Sequence, residues 1–126
     1  MPGQIMIFDD DADILSICTH ILQERGWEVY TQNNCNNILE VIEKVKPDVI
    51  VMDNWIPDTG GIVATQKIKA HEPFKNIPVI YFSANHDISN LAKQAGTDYY
   101  LAKPFDIKEL ENLIEQVLET NKAIDN

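Results

Sequence analysis

Five polar residues stand where short apolar runs of the chain end, and their types suit phosphoryl chemistry. Asp9 and Asp10 follow the first such run, and Asp53, Ser83 and Lys103 each follow a later one. Three carboxylates at close range repel one another unless a cation is present. Magnesium binds one or two carboxylates together with waters and phosphate oxygens, and a carboxylate such as Asp53 can form an aspartyl phosphate. These residues predict a Mg²⁺-dependent phosphoryl-transfer site, with Lys103 as a second positive charge and Ser83 as a hydrogen-bond donor.

Each of these residues also has an ordinary structural interpretation. An Asp pair after a strand often caps the next helix, and we expect Asp11 or Asp13 to do so here. Taken alone, Asp53 could be a buried structural acid, Ser83 a turn hydroxyl and Lys103 a surface residue. Independent accidents would not place the whole set at the ends of four different strands. We therefore favour one combined site.

The elements that would bring these residues together are predicted from the apolar patterns. Short apolar or alternating runs predict five strands, and apolar residues at helical spacing predict a helix after each of them. The strands are expected near residues 5–8, 27–30, 49–52, 79–82 and 99–102, and the helices near 14–22, 38–45, 62–68, 88–95 and 107–118. This alternation requires a mostly parallel sheet with helices on both faces. In such folds the functional site lies at the carboxyl ends of the strands.

The composition describes one acidic globular domain. The chain has 126 residues, a net charge of −10 and a pI near 4.5, so a surface for nucleic acid or anionic membrane is not expected. No apolar run approaches the ~20 residues of a membrane span, and the N-terminus lacks the features of a secretory signal. Cys18 and Cys35 form no disulfide framework or metal motif, which predicts reduced thiols and a cytoplasmic location.

The sequence resembles the receiver domain of two-component response regulators over nearly its whole length. The resemblance rests on Ile7-Phe8-Asp9-Asp10-Asp11, on the run Asp48 to Asp53 followed by Pro57 and Gly60-Gly61, on Ser83-Ala84, and on Lys103-Pro104-Phe105. It implies one receiver domain over residues 1–126, with a core over about 4–119 and a frayed C-terminal tail. The implied fold is a flavodoxin-like, doubly wound α/β fold with a five-stranded parallel sheet of order 2-1-3-4-5 and five helices.

The resemblance also implies roles for the acidic residues. Asp53 would accept a phosphoryl group from a phosphohistidine. Mg²⁺ (or Mn²⁺) would be bound by Asp53, by Asp10 directly, and by Asp9 directly or through water. The main-chain carbonyl of Trp55 would add a further metal ligand.

A conformational switch is implied by a second group of residues. Ser83 and Lys103 would contact the phosphoryl group, and Tyr100 matches the family's aromatic position, whose ring turns inward when the hydroxyl residue is drawn to the phosphate. Tyr99 must face the other side of the sheet, and a half-buried aromatic without a switching role is the alternative for Tyr100. The Lys103–Pro104 bond resembles the family's cis-proline bond.

Two positions are expected to influence the phosphorylated lifetime. Trp55 is large and apolar where the family lines the path of the attacking water, so we hypothesise that it shields the acyl phosphate and slows its loss. The alternative is a partly exposed aromatic without kinetic effect. Asn85, two residues beyond Ser83, could instead position that water. The segment between Ser83 and Lys103 is about two residues shorter than is usual in the family, so a short, irregular or mobile fourth helix is expected.

The implied function is a phosphorylation-controlled binding switch in a phosphorelay. It is not a conventional enzyme, because it would catalyse only its own phosphoryl uptake and loss. The expected partners are a sensor histidine kinase or histidine phosphotransfer protein and a downstream protein target, without direct nucleic-acid contact or membrane insertion. No DNA-binding segment follows the last helix, which is expected of a stand-alone receiver or of one cut from a larger regulator or hybrid kinase. A weak homodimer is left open.

Two other functions match parts of the sequence. Asp9-x-Asp11 resembles the signature of Mg²⁺-dependent phosphatases of the haloacid dehalogenase type, but Asp13 stands where that group has Thr or Val. The chain is also short for that group. A receiver-like domain that binds its partner without phosphorylation is the other alternative, and the intact acidic set together with Lys103 argues against it.

Overall fold

The computed structural model describes residues 3–56, 59–97 and 99–125, and its elements alternate as the sequence predicts. In chain order they are β1 (Gln4–Phe8), α1 (Ala12–Glu24), β2 (Glu28–Gln32), α2 (Ile38–Val45), β3 (Val49–Asp53), α3 (Gly61–Ala70), β4 (Val79–Ser83), α4 (Ile88–Ala95), β5 (Tyr99–Ala102) and α5 (Ile107–Asp125). Pro57, which contributed to the family resemblance, lies outside the described residues. The second strand extends to Gln32 because it pairs with β1 along its whole length.

The five strands form one parallel sheet with the order β2-β1-β3-β4-β5. This confirms the flavodoxin-like topology, in which β1, β3 and β4 are interior strands and the chain crosses over between β2 and β3. Because all strands run the same way, their carboxyl ends share one edge. In register, Phe8 of β1 lies beside Met52 of β3, and Ser83 of β4 lies beside Ala102 of β5. The residues that follow these positions therefore meet at that edge.

The pleat of the sheet divides the apolar core into two layers, since successive side chains point to opposite faces. Met6, Met52 and Tyr81 belong to the layer packed against α2, α3 and α4, which we call the first cluster. Ile7 and Val51 belong to the layer packed against α1 and α5, which we call the second cluster. Every side chain of β3 and β4 is buried, as expected for central strands covered by helices on both faces.

The helix ends follow local hydrogen bonding. Asp11 is the N-cap of α1, where its carboxylate accepts from the N–H groups of Asp13 and Ile14, so one of the two predicted caps is identified. Before α5, the N–H of Asp106 donates to Glu109 Oε1 at 3.1 Å, which is the reciprocal half of a capping box. The fourth helix is a regular helix of 8 residues. The last helix includes residues up to Asp125 and so extends past residue 119, where we expected the core to end.

The two cysteines are free and buried in different layers of the core. Cys18 lies in the second cluster and Cys35 in the first, where its Sγ is 3.9 Å from Met52 Sδ. Burial raises the pKa of each thiol to about 11, so both are protonated and unreactive near neutral pH.

In the part of the chain that the structure describes, no helix combines the length and the apolar character needed to cross a membrane.

Candidate functional site: an acidic cluster paired with one lysine

Asp9 is positioned by the end of β1. Its backbone N–H donates to the carbonyl of Gln32 at 3.1 Å, which continues the ladder between β1 and β2 by one residue. The side chain is fully buried. Its Oδ1 accepts the N–H of Asp11 at 2.9 Å, and its Oδ2 lies 2.8 Å from Lys103 Nζ. Both carboxylate oxygens therefore have partners, as a buried charge requires.

Asp53 is the last residue of β3 and is 5% exposed. Its Oδ2 accepts the backbone N–H of Trp55 at 3.0 Å, and its Oδ1 lies 2.8 Å from Lys103 Nζ. A peptide N–H and an ammonium group thus fix the carboxylate from two sides. This holds the predicted phosphoacceptor in one orientation at the edge of the sheet.

Lys103 reaches both carboxylates from the end of β5. Its backbone N–H donates to the carbonyl of Ser83 at 2.8 Å, which places it beside the end of β4. Its Nζ bridges Asp9 and Asp53 and lies 5.9 Å from the centroid of the Phe82 ring. The side chain is 17% exposed, so the apolar stem is covered while the ammonium faces the two acids.

The electrostatics of this cluster are unbalanced. One ligand oxygen from each of Asp9, Asp10 and Asp53 lies within 4.8 Å of the others. Burial raises the pKa of the Asp53 carboxyl; the Lys103 hydrogen bond opposes this increase, and the Asp9 charge adds to it. Burial lowers the pKa of Lys103, but the hydrogen bonds and charges of Asp53 and Asp9 outweigh burial, and its pKa is raised. One ammonium therefore only partly compensates three carboxylates.

The donor set of the cluster fits a hard divalent cation. Asp9, Asp10 and Asp53 supply carboxylate oxygens, and the backbone of Trp55 lies beside them through its hydrogen bond to Asp53. Magnesium prefers such a partial set of protein oxygens and completes its coordination with water and phosphate. The four predicted metal-binding positions thus lie at one place, with Asp10 exposed and the other two carboxylates buried.

A cleft of about 340 Å³ opens over the acidic cluster. Its lining comprises Asp9, Asp10, Asp11, Asp53, Asn54, Trp55, Ser83, Ala84, Asn85 and Lys103. Ser83 is buried, and its Oγ accepts the N–H of Asn85 at 3.0 Å, which leaves the hydroxyl hydrogen available for donation. The side-chain oxygen of Asn85 accepts the N–H of Asp87 at 2.8 Å. The cleft thus brings together the predicted metal, phosphoacceptor and lifetime residues with Ser83 and Lys103, whereas Tyr100 and Pro104 are not among its lining residues.

The predicted switch and lifetime residues occupy different surroundings. Tyr100 is 43% exposed and lies beside Tyr81 in the sheet register, whereas Tyr99 packs on the second cluster. The two neighbouring tyrosines therefore face opposite sides, as predicted. Trp55 is 75% exposed at the rim of the cleft. The Lys103–Pro104 peptide bond is cis.

Two residues at or beside the site, Asn54 and Tyr81, were not predicted from the sequence, and Gly61 was noted only as part of the family motif. Asn54 follows Asp53, and its side chain accepts a hydrogen bond from the hydroxyl of Tyr81. Gly61 begins α3 so close to β3 that a Cβ atom there would lie 2.2 Å from the carbonyl oxygen of Asp53. The available signals were a tyrosine inside a fully buried strand, whose hydroxyl needs a partner, and a glycine pair at a helix start.

A family comparison decides the identity of this fold and site. The family model described as the response regulator receiver domain matches residues 5–115. The chain belongs to the response regulator receiver family. This confirms the resemblance derived from the strand-end residues, and an acidic pocket that binds Mg²⁺ is a general property of receiver domains.

Known receivers are similar to this one in sequence and in structure. The chain is 33% identical over 119 residues to the DNA-binding transcriptional regulator NtrC of Azospirillum brasilense, an alignment that covers 93% of this chain and 24% of that protein. The crystal structure of a putative response regulator from Chloroflexus aurantiacus aligns with a TM-score of 0.88 at 26% identity, covering 94% of this chain and 99% of that one.

A third comparison concerns a receiver domain with a bound metal. It is the receiver domain of the sensor histidine kinase PA1611 from Pseudomonas aeruginosa, with a magnesium ion coordinated in its active-site cleft. It aligns with a TM-score of 0.85 at 26% identity, covering 94% of this chain and 99% of that one. The present chain spans between 17% and 51% of the length of the curated relatives compared with it. The similarity therefore concerns the receiver and not their other domains.

Proposed function

We propose that this receiver is a phosphorylation-controlled switch whose phosphoacceptor is Asp53. The observation that carries the proposal is the position of Lys103 Nζ, 2.8 Å from Asp9 and 2.8 Å from Asp53, at the carboxyl edge of the parallel sheet. A structural ion pair would need one acid and one base. A third carboxylate and an open cleft are better explained by a site that binds a cation and a phosphoryl group.

In the proposed transfer the nucleophile is the carboxylate of Asp53. A carboxylate oxygen forms a bond to the phosphorus of a phosphohistidine, and the phosphorus–nitrogen bond breaks. The electron pair of that bond remains on the histidine nitrogen, and a proton from solvent makes the leaving group a neutral imidazole. In dephosphorylation, an oxygen of water bonds to the phosphorus and the bond between the phosphorus and the Asp53 oxygen breaks. A proton of the water passes to solvent, inorganic phosphate leaves, and the Asp53 carboxylate is restored.

Residues around Asp53 would stabilise the transferred group. The N–H of Trp55 holds Asp53 Oδ2, which orients the carboxylate for attack. Lys103 already lies at Asp53 Oδ1 and can pair with a phosphoryl oxygen. Mg²⁺, held by Asp9, Asp10, Asp53 and the carbonyl of Trp55, would neutralise negative charge on the phosphoryl oxygens.

The switch would act through Ser83 and Tyr100. Ser83 has a free hydroxyl hydrogen at the edge of the cleft, so a phosphoryl oxygen on Asp53 is a suitable acceptor for it. Tyr100 is on the neighbouring strand with a partly exposed ring, and we expect the ring to turn inward when Ser83 moves. The surface formed by α4 and β5 would change with it.

We assign the partners by the chemistry of this site. The donor would be a sensor histidine kinase or a histidine phosphotransfer protein, and the output a downstream protein that reads the changed surface, all in the cytoplasm. The receiver would catalyse only its own phosphorylation and dephosphorylation. A phosphatase of the haloacid dehalogenase type is less suitable, since Asp11, its second signature acid, serves as the N-cap of α1.

Phosphotransfer from purified histidine kinases of the source organism tests the proposal. With Mg²⁺, label should pass from at least one phosphorylated kinase to the wild-type chain and to Asp13→Asn, but not to Asp53→Asn. Labelling of Asp53→Asn would refute the assigned acceptor. Failure of every kinase and of acetyl phosphate would support a receiver-like domain that binds without phosphorylation, and turnover of a phosphate ester that depends on Asp9 but not on Asp53 would support the phosphatase.

A further inference from the structure

Tyr81 is a polar residue inside a strand whose five side chains are all buried. Its ring belongs to the first cluster and lies beside Met52 in the sheet register. A buried tyrosine hydroxyl needs a hydrogen-bond partner. Among the described residues that partner is Asn54, whose Oδ1 accepts from the hydroxyl. Burial raises the pKa of Tyr81 above its usual value and the charge of Asp53 adds to the increase, so the hydroxyl remains a donor.

Asn54 connects three elements at the carboxyl edge of the sheet. Its N–H donates to the carbonyl of Phe82 in β4 at 2.8 Å, and its carbonyl accepts the N–H of Gly61 in α3 at 3.1 Å. Its side chain accepts from Tyr81. Two side chains of the sheet, those of Asp53 and Tyr81, make hydrogen bonds to the described part of the segment between β3 and α3.

The peptide that follows Asn54 belongs to the phosphoacceptor site. It carries the N–H of Trp55, which donates to Asp53 Oδ2 at 3.0 Å. Trp55 also supplies the main-chain carbonyl that we assign as a metal ligand. Asn54 is thus the residue next to a group that orients the acceptor carboxylate and to the backbone that presents the carbonyl.

We propose that Tyr81 is a positioning residue for the metal and phosphoacceptor site, acting through the hydrogen bond between its hydroxyl and the Asn54 side chain. The inference rests on the proposed function and extends it to a residue that does not line the cleft. Partners that orient ligand-bearing groups commonly control metal affinity. Loss of a single hydrogen bond of this kind is expected to weaken Mg²⁺ binding about three- to tenfold.

The test measures Mg²⁺ affinity of the full chain by calorimetric titration with magnesium chloride alone. Tyr81→Phe removes one oxygen and keeps the ring. Tyr99→Phe is the matched control, because that tyrosine lies on the adjacent strand and packs on the opposite layer. Asn54→Ala removes the acceptor side chain from the other end of the same bond, and it replaces Tyr81→Phe if that variant does not fold. The double variant reports whether the two residues act together.

The expected result is a three- to tenfold weaker Mg²⁺ affinity in Tyr81→Phe and in Asn54→Ala, no further loss in the double variant, and wild-type affinity in Tyr99→Phe. Phosphorylation of Tyr81→Phe by acetyl phosphate should be slow at low Mg²⁺ and recover at saturating Mg²⁺. Unchanged Mg²⁺ affinity in Tyr81→Phe, with only a lower unfolding temperature, would overturn the positioning role. Absence of Mg²⁺ binding by the wild-type chain would instead refute the proposed function itself, and this inference with it.

Discussion

Lys103 Nζ lies 2.8 Å from Oδ1 of Asp53, although the strand β4 lies between β3, which ends at Asp53, and β5, which Lys103 follows. The contact exists because the strands are parallel and end at one edge. In the metal-free receiver, the Lys103 ammonium therefore neutralises part of the negative charge that a bound metal ion would otherwise neutralise. Each added positive charge at this edge should therefore stabilise the fold, and each removed one should destabilise it.

Replacing Lys103 with methionine should destabilise the metal-free protein. The variant leaves Asp9 and Asp53 buried without an ammonium partner, and removal of one member of a buried ion pair costs about 3 kcal/mol. Urea unfolding with a chelator present measures this change. Lys108→Met, at an exposed lysine, is the control and should stay within about 0.5 kcal/mol of wild type. Equal stability of Lys103→Met and Lys108→Met would contradict the bridging role.

Replacing Asp53 with asparagine should stabilise the metal-free protein at neutral pH. The pKa of Asp53 is raised in the folded chain, mainly by burial, so the unfolded chain releases this proton first as the pH increases. Stability contributed by this group therefore falls as the pH rises above about 4 towards the folded pKa.

Thermal unfolding at several pH values measures the effect of Asp53→Asn. The gain in unfolding temperature should be near zero at about pH 3.5, where the Asp53 carboxyl is mostly protonated in both the folded and the unfolded chain. The gain should reach a few degrees at pH 7. Glu119→Gln, on the exposed face of α5, controls for the loss of one acid. A constant difference at all pH values would show that the burial of the Asp53 charge is not its cause.

Replacing Asp10 with asparagine should separate metal binding from folding. Asp10 is exposed while its partners in the cluster are buried, so the change should leave metal-free stability nearly unaltered. Magnesium affinity should fall about tenfold or more, because one of only three carboxylate ligands is lost. Asp13→Asn removes a nearby exposed charge outside the cluster and is the control. If both variants lose affinity equally, general electrostatic attraction and not coordination is responsible.

Replacing Trp55 with asparagine should shorten the lifetime of the phosphorylated protein several-fold. The ring is 75% exposed and lies at the rim of the cleft, so it can restrict the approach of water without being needed for folding. Decay of the phosphorylated form after removal of the donor measures the lifetime. Val63→Ala, another exposed apolar residue near Trp55, is the control. An unchanged decay rate in Trp55→Asn would exclude the shielding hypothesis.

The parts of the site that could be predicted from the sequence are those that depend on strand ends alone. Asp9, Asp53 and Lys103 come together because a parallel sheet brings every carboxyl end to the same edge. The two apolar layers were likewise implied by alternation along buried strands. These features depend on periodicity and on chain order, which can be read without coordinates.

The parts that could not be predicted depend on the three-dimensional position of single atoms and on the angles between elements. Tyr81 has the pattern of an apolar strand residue, and only the sheet register places its hydroxyl at Asn54. The close approach of Gly61 to Asp53 depends on the angle at which α3 begins. The ion pair between Glu111 and Arg25, which joins α5 to the end of α1, likewise depends on how two helices far apart in the chain lie side by side.

The most direct test of the account is the site of phosphorylation. The wild-type chain, Asp53→Asn and Asp10→Asn are incubated with acetyl phosphate and Mg²⁺, and intact mass and peptide mapping locate any added phosphoryl group. A single alkali-labile phosphoryl group is expected on Asp53 in the wild-type chain, little phosphorylation in Asp10→Asn, and none in Asp53→Asn. A phosphoryl group on any other residue of the wild-type chain, or equal labelling of Asp53→Asn, would contradict it.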